Sequence, residues 1–219
     1  MWCIQEITEE YKLRMYRLPE LYKEKYDPYQ PVVCMDEKSK QLLEDNRNAI
    51  KAKPGQPEKY DYEYKRKGTC NLFVAVEPKG GKRFVKVTGT RTKTDFAYFV
   101  KDLAEKHFPK ANCIQLVLDN LNTHFEGSLI ETFGRRKATR LMKKIKFIYT
   151  PKHASWLNMA EIEINIMDRQ CTGGRIESTE KLESNVTIWS KKRNKDKCNI
   201  EWKFTKQDAD RKLSYHYVS

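Results

Sequence analysis

LVLDN, residues 116–120, is a short apolar run that stops on an acid and an amide. Such a run with turn residues after it reads as a buried strand, and an aspartate at a strand's carboxyl end stands where α/β sheets bind their ligands. The pattern occurs earlier in PVVCMD, where Val32, Val33, Cys34 and Met35 lead into Asp36. Side by side in one sheet, two such strands would set Asp36 next to Asp119. A third acid comes from SWLNMAEIEINIMDRQ (155–170), a helical pattern that ends before Gly173 and Gly174. On that helix Asn158, Glu161 and Asn165 share a face by spacings of three and four, and Glu163 points elsewhere, so Glu161 is the acid that would lie over the sheet.

Taken singly, each aspartate has an ordinary explanation as the end of a strand or the cap of a turn. Together the three carboxylates match the needs of phosphodiester chemistry, in which two divalent ions roughly 3.5–4 Å apart serve the attacking and leaving oxygens. Without a cation, two carboxylates about 4 Å apart repel by roughly 4 kcal/mol at an effective dielectric near 20. A converging cluster therefore calls for Mg²⁺ or Mn²⁺, two ions in all, on Asp36, Asp119 and Glu161, or else for a raised pKa.

The bulk composition points the same way. Of 219 residues, 43 are Lys or Arg and 30 are Asp or Glu, a formal charge of +13, and the pI is about 9.4 with a mean hydropathy of -0.83. So basic a chain suits a polyanion, with nucleic acid the commonest partner; the plainer reading is a lysine-rich surface that only confers solubility. The length supports one main core with small appendages. Six scattered cysteines without a CxxC pair fit neither a zinc site nor a disulfide framework, and read as thiols in a reducing compartment. No stretch has the roughly 20 apolar residues of a membrane span, and the amino terminus lacks a signal-peptide pattern. The expected location is the cytoplasm, at the nucleoid.

Along the chain, residues 5–25 predict two short helices broken at Pro19, and DPYQP (27–31) a linker, so that residues 1–30 form an arm. Residues 37–65 are polar and turn-rich and read as a loop insertion. TCNLFVAVEP and KRFVKVTGT around KGG read as a hairpin. TDFAYFVKDLAEKHF (94–108) predicts a helix capped by Thr94. After LVLDN come a short helix through Leu129 and Phe133, a second with Ala138, Leu141, Met142 and Ile145 on its apolar stripe, and a strand in KFIYTP. Beyond residue 172 lies a basic extension with one helix near 180–192.

VVCMDEKS, LVLDNLNTH and YTPKHASWLNMAEIE resemble the three signature blocks of DDE-superfamily transposases of the Tc/mariner-like group of bacterial insertion sequences. The resemblance runs from about Val32 to Gln170. It implies an α/β, RNase H-like mixed sheet of about five strands flanked by helices over residues 31–172, with Asp36, Asp119 and Glu161 as the catalytic, metal-holding triad. It further implies metal-dependent cleavage at transposon ends, strand transfer into target DNA, DNA as partner and a homodimer, for which the arm is a candidate contact. Full-length relatives carry helix-turn-helix domains ahead of the catalytic domain, and only about thirty residues precede Asp36 here. A truncated, non-catalytic DNA-binding remnant is therefore the alternative, and a structure-specific nuclease on the same fold a third reading.

Around the acids, Asn120, His124 and Asn158 are candidates for orienting a carboxylate or touching phosphate. Asn122 and His153 could equally be loop residues, and Trp156 reads as a core anchor. Arg135, Arg136, Lys137, Arg140, Lys143 and Lys144 form a cationic stripe suited to sequence-independent phosphate contacts; the competing reading is a solvated helix face.

Overall fold

The computed structural model describes residues 7–47, 49–120 and 125–216. The chain runs through α1 (Glu9–Lys23), β1 (Val32–Asp45), β2 (Tyr64–Glu77), β3 (Lys82–Thr88), α2 (Lys93–Asp102), β4 (Ile114–Leu118), α3 (Glu126–Phe133), α4 (Arg135–Met142), β5 (Ile145–Tyr149), α5 (Met159–Met167), α6 (Thr179–Lys195) and α7 (Lys206–Leu213). The strands form one mixed sheet in the order β3-β2-β1-β4-β5. β1 to β3 form an antiparallel meander, and β4 and β5 join β1 in parallel. This is the RNase H-like α/β sheet flanked by helices that the sequence predicts.

Strand alternation sorts the core into two layers. Val33, Met35, Leu116 and Leu118 face one side and pack with residues of α2, α3 and α4. Cys34, Val76 and Val117 face the other and pack with α1, the start of α5 and α7. Further along that second face, Leu72 and Val74 meet Ile164 and Met167 of α5 and Leu182, Val186 and Trp189 of α6.

Several elements differ from their sequence-based expectations. Residues 37–45 are not a loop: β1 continues to Asp45, paired with β2 as far as Tyr64 through an irregularity at Leu42/Leu43. Asp36 thus sits inside a strand of 14 residues. The parallel pairing of β1 with β4 ends at Cys34, so the outer half of β1 has one sheet neighbour and tolerates the polar residues that hid it.

The two expected N-terminal helices are one, with Pro19 inside α1. A proline in a helix interior costs about 3 kcal/mol. Met15, Leu18, Leu21 and Tyr22 are buried along this helix, and each contributes about 1.5–3 kcal/mol, so packing wins. The helix is also bolted down by the Tyr22 hydroxyl, which donates to the Leu157 carbonyl at 2.9 Å.

Thr92, not Thr94, caps α2, because Asp95 reaches back to the Thr92 backbone N–H at 2.9 Å and completes a capping box. Ile145 opens β5 instead of closing α4, since the Ile114 N–H takes the Lys144 carbonyl at 2.7 Å and draws the chain into the sheet. Gly134, at φ 76, makes the corner between α3 and α4 that a side chain would strain. The last helix pattern divides into a single 3-10 turn, Ser155–Leu157, then α5, then a wider turn at Asp168–Thr172. α7 is an addition that the sequence reading lacks; its capping box, Thr205 with Asp208, is the local signal for it.

One buried charge cluster ties three of these elements together. Glu163 of α5, with a fully buried side chain, accepts from Arg83 of β3 at 2.8 Å and from Arg193 of α6 at 2.7 Å. Arg83 also donates to the Gly81 carbonyl at 2.8 Å and to that of Cys198. Removing one member of such a cluster strands the others in low dielectric. Glu163→Ala should therefore lower unfolding stability by about 3–5 kcal/mol, read as a fall in the urea midpoint at unchanged slope; a loss below about 1 kcal/mol would show the cluster to be energetically idle.

Candidate active site

The parallel ladder between β1 and β4 pairs Val32 with Gln115, Val33 with Leu116 and Cys34 with Val117. Two residues further along each strand, beyond the last pair of that ladder, lie Asp36 and Asp119. Both share the face of Cys34 and Val117 by strand alternation, which is the face that α5 covers. Asp36 is 8% exposed and its Oδ1 accepts the Glu37 backbone N–H at 2.7 Å. Asp119 is half-buried just past the end of β4, and Asn120 is exposed.

The third acid is placed by a cap. Asn158 is fully buried at the N-cap of α5. Its amide Nδ2 donates to the Met35 carbonyl at 2.7 Å, and its Oδ1 accepts the Ala160 N–H at 3.1 Å. One side chain thus starts the helix and pins it to β1 at the residue before Asp36. Glu161 follows in the first turn, where its N–H bonds the Asn158 carbonyl at 3.1 Å and its charge suits the helix amino terminus.

The far end of α5 is held as well. Lys38 pairs with Asp168 at 2.7 Å, and the Lys40 ammonium donates to the carbonyls of Thr172 and, at 2.9 Å, Gly174. Lys38 and Lys40 continue the Asp36 side of β1, so one strand face carries both the acid and the anchors of the helix above it. These lysines escape sequence reading because they lie in the polar half of β1. The Lys38 ammonium, through its hydrogen bond, holds the Asp168 carboxyl below the usual carboxylate range.

Asp36 thus follows the β1 residue that Asn158 grips, Glu161 lies in the first turn of the helix that Asn158 caps, and Asp119 stands just past the end of the neighbouring β4. Among the described residues no three His, Cys, Asp or Glu side chains already form a metal-holding group. The donor set is all carboxylate oxygen, which is the chemistry that Mg²⁺ and Mn²⁺ take. His124 and Asn122 lie outside the described residues. His153 is exposed at φ 59, and Trp156 packs edge-on against Phe204 at 5.1 Å, as a core anchor does.

The cationic stripe on α4 belongs to the opposite layer, with Ala138 and Leu141 in the core of that face. Its members differ in their contacts. Arg140 pairs with Glu105 at 2.8 Å, Lys137 lies 4.9 Å from the centre of the Phe133 ring, and Lys144 donates to the carbonyls of Ala104 and Pro109 at 2.8 and 2.9 Å. Arg135, Arg136 and Lys143 are exposed.

Comparison with known proteins supports the fold. No curated protein matches the sequence. Among solved structures, the chain is similar to the Mos1 mariner paired end complex with Mn, at 16% identity and a TM-score of 0.57, covering 90% of this chain and 60% of that one. It is also similar to the Mos1 paired end complex with Mg (16%, TM-score 0.55, covering 100% and 66%) and to the Mos1 Strand Transfer Complex (18%, TM-score 0.55, covering 87% and 57%). The chain thus spans about three-fifths of the length of these structures, and at such identity the likeness is one of fold. The family model described as DDE superfamily endonuclease matches residues 31–183, which hold all three acids and the whole sheet. The chain belongs to the DDE superfamily endonuclease family.

Proposed function

We propose that this chain is the catalytic domain of a transposase that cleaves DNA at transposon ends and transfers the strand to target DNA. The observation that supports the reading is the β1–β4 ladder, paired as far as Cys34 and Val117, whose continuation by two residues would bring Asp36 opposite Asp119 on the face that α5 covers. Family membership supports it, and so does likeness to the Mos1 paired end complexes with Mn and Mg and to the Mos1 strand transfer complex.

Asp36, Asp119 and Glu161 would hold two Mg²⁺ or Mn²⁺ ions. When bound, such ions supply Lewis-acid stabilisation to the attacking and leaving oxygens of a phosphodiester. The chain's own part is placement. Asp36 is held by pairing with Val74 of β2, two residues past the last β1–β4 pair, and Glu161 follows the cap that Asn158 builds. Asn120 and His124 follow Asp119 and would orient its carboxylate or touch phosphate. Arg135, Arg136 and Lys143 would contact phosphates on the other face, and Arg140, Lys137 and Lys144 would add charge there despite their local contacts. DNA is the partner in this reading, and a homodimer the assembly.

Three outcomes are expected. Asp119→Ala should abolish Mg²⁺- or Mn²⁺-dependent nicking of supercoiled plasmid and leave folding and DNA retention intact; nicking that persists would overturn the assignment. If the wild-type chain itself binds plasmid without nicking it, the DNA-binding remnant is the correct reading. Asn158→Asp keeps the cap acceptor but loses the donor to Met35, so nicking should fall while stability drops by about 1–3 kcal/mol; full activity would show that Glu161 does not depend on this bond. Changing Arg135, Arg136 and Lys143 to Gln together should reduce the slope of log K against log salt by about 2.7 with any DNA sequence, and an unchanged slope would remove α4 from the DNA interface.

A further inference from the structure

The β1–β2 pairing does not stop where the sheet does. Beyond the irregularity at Leu42/Leu43, Leu43 pairs with Arg66 and Asp45 with Tyr64. Further out, Ile50 and Lys59 exchange both backbone hydrogen bonds, at 2.9 and 3.0 Å, and Lys53 and Gln56 do the same at 3.0 and 2.8 Å. From Leu43 to Lys53 every step along the first limb is matched by one step back along the second, so these pairs share one register and belong to one two-stranded ribbon. Pro54 and Gly55 turn it, with Gly55 at φ 79, the left-handed value that a type II turn asks of its third residue. At about 3.3 Å per residue the ribbon reaches about 33 Å from Leu43 to Lys53.

The ribbon is fixed at its root and bare beyond it. Lys67 is the extra residue at the irregularity, beside Gly68 at φ 111, and a bulge of this kind bends a strand pair. Arg175, in the segment after α5, donates to the Asp45 carboxylate at 2.6 Å and to the carbonyls of Asp61, Glu63 and Tyr62 at 2.8, 3.2 and 3.3 Å. The Leu43 N–H takes the Ile176 carbonyl at 2.8 Å. Past this clasp residues 51–60 are all exposed, as is Tyr62 at 85%. A hairpin that served the core would bury one of its faces, and this one buries neither.

Its charge selects a partner. Between residues 46 and 67 the chain carries seven Lys or Arg against three Asp or Glu. Lys51, Lys53 and Lys59 stand at the tip, and Lys65 and Arg66 on the exposed return limb. Contacts between proteins are depleted in lysine, which disfavours a second copy of this chain as occupant, whereas a polyanion is bound through lysines. The major groove of B-DNA, about 12 Å wide and about 8.5 Å deep, admits a two-stranded β-ribbon. We infer that the ribbon tip, residues 50–59, enters the major groove of duplex DNA, with Lys51, Lys53 and Lys59 on the flanking phosphates. This placement takes DNA as the partner, as in the reading above, and is indifferent to whether the acids cut it. The root at Asp45 lies about 30 Å along β1 from Asp36, so the ribbon holds a different stretch of duplex from the one beside the acids.

The test measures binding of the full chain to a short guanine-containing duplex across a salt series, and probes the bound duplex at saturating protein with dimethyl sulfate, which methylates guanine N7 in the major groove. The triple variant Lys51→Gln, Lys53→Gln and Lys59→Gln should lower the slope of log K against log salt by about 2.7. Replacing residues 50–59 by Asn-Gly closes the same register between Ala49 and Tyr60 with a two-residue turn; this shortened ribbon should lose the N7 protection that the parent gives. Both variants should keep the parent's urea midpoint, because the residues changed lie outside the core. An unchanged slope in the triple variant, or N7 protection that survives the shortening, overturns groove entry. A shortened chain that sediments as a smaller species while binding DNA as the parent does would make the ribbon a contact between copies and sink the placement. A parent chain that retains no DNA overturns DNA as the partner and this placement with it; retention that neither variant alters overturns the placement alone.

Discussion

The bond from the Asn158 amide to the Met35 carbonyl is the constraint on which the candidate site depends. It joins the start of α5 to β1 one residue before Asp36, with no solvent to loosen it. The same side chain caps the helix, so the position of β1 and the first turn of α5 are set together. A neutral hydrogen bond adds only about 1 kcal/mol net, but leaving its buried partner unsatisfied costs more, which makes the geometry hard to leave. The Lys38–Asp168 pair and the Lys40 contacts then fix the other end of the helix on the same strand. α5 is thereby held at both ends by the strand that carries Asp36.

Two acids two residues apart on that helix show how the fold divides labour. Glu163 is enclosed by Arg83 and Arg193 and joins α5 to β3 and α6. Glu161, about 200° around the helix by its 3.6-residue period, is half-buried on a different side. A carboxylate already neutralised by two guanidinium groups has no charge to offer a metal. Structural and chemical demands on α5 are thus met by separate residues, and a polar substitution at either has a different consequence.

Much of this was legible in the sequence because the buried strands are written in apolar residues: VVCM, IQLVL and the LFVAVE hairpin arm each declare themselves, and two of them lead straight into acids. The spacing that separates Glu161 from Glu163 corresponds to different surroundings on α5, Glu163 being buried against Arg83 and Arg193 and Glu161 half-buried. What stayed hidden has a common cause. The outer half of β1 is held by backbone pairing with β2 and needs no apolar side chains, so Glu37 to Asp45 reads as loop. Lys38 and Lys40 lose their meaning with it, since their partners at Asp168, Thr172 and Gly174 are more than a hundred residues away. Pro19 misled for the converse reason: local preference favoured a break, and tertiary burial overrode it.

The separation of charge across the sheet bears on how DNA could be handled. By strand alternation Asp36 belongs to the sheet face that α5 covers, and α4 packs in the layer on the other side. A single straight duplex cannot lie against both faces of one sheet. If α4 contacts phosphate, it holds either a different stretch of DNA from the one beside Asp36, or DNA that bends around the β5 edge, where α4 and β5 meet. Binding energy and chemistry would then reside on different surfaces, and affinity for DNA would carry no information about whether the acids are competent. On the proposed reading, retention and cleavage of DNA would be separable, and the placement of Asp36 and Asp119, not the net charge, is the feature on which a catalytic reading has to stand.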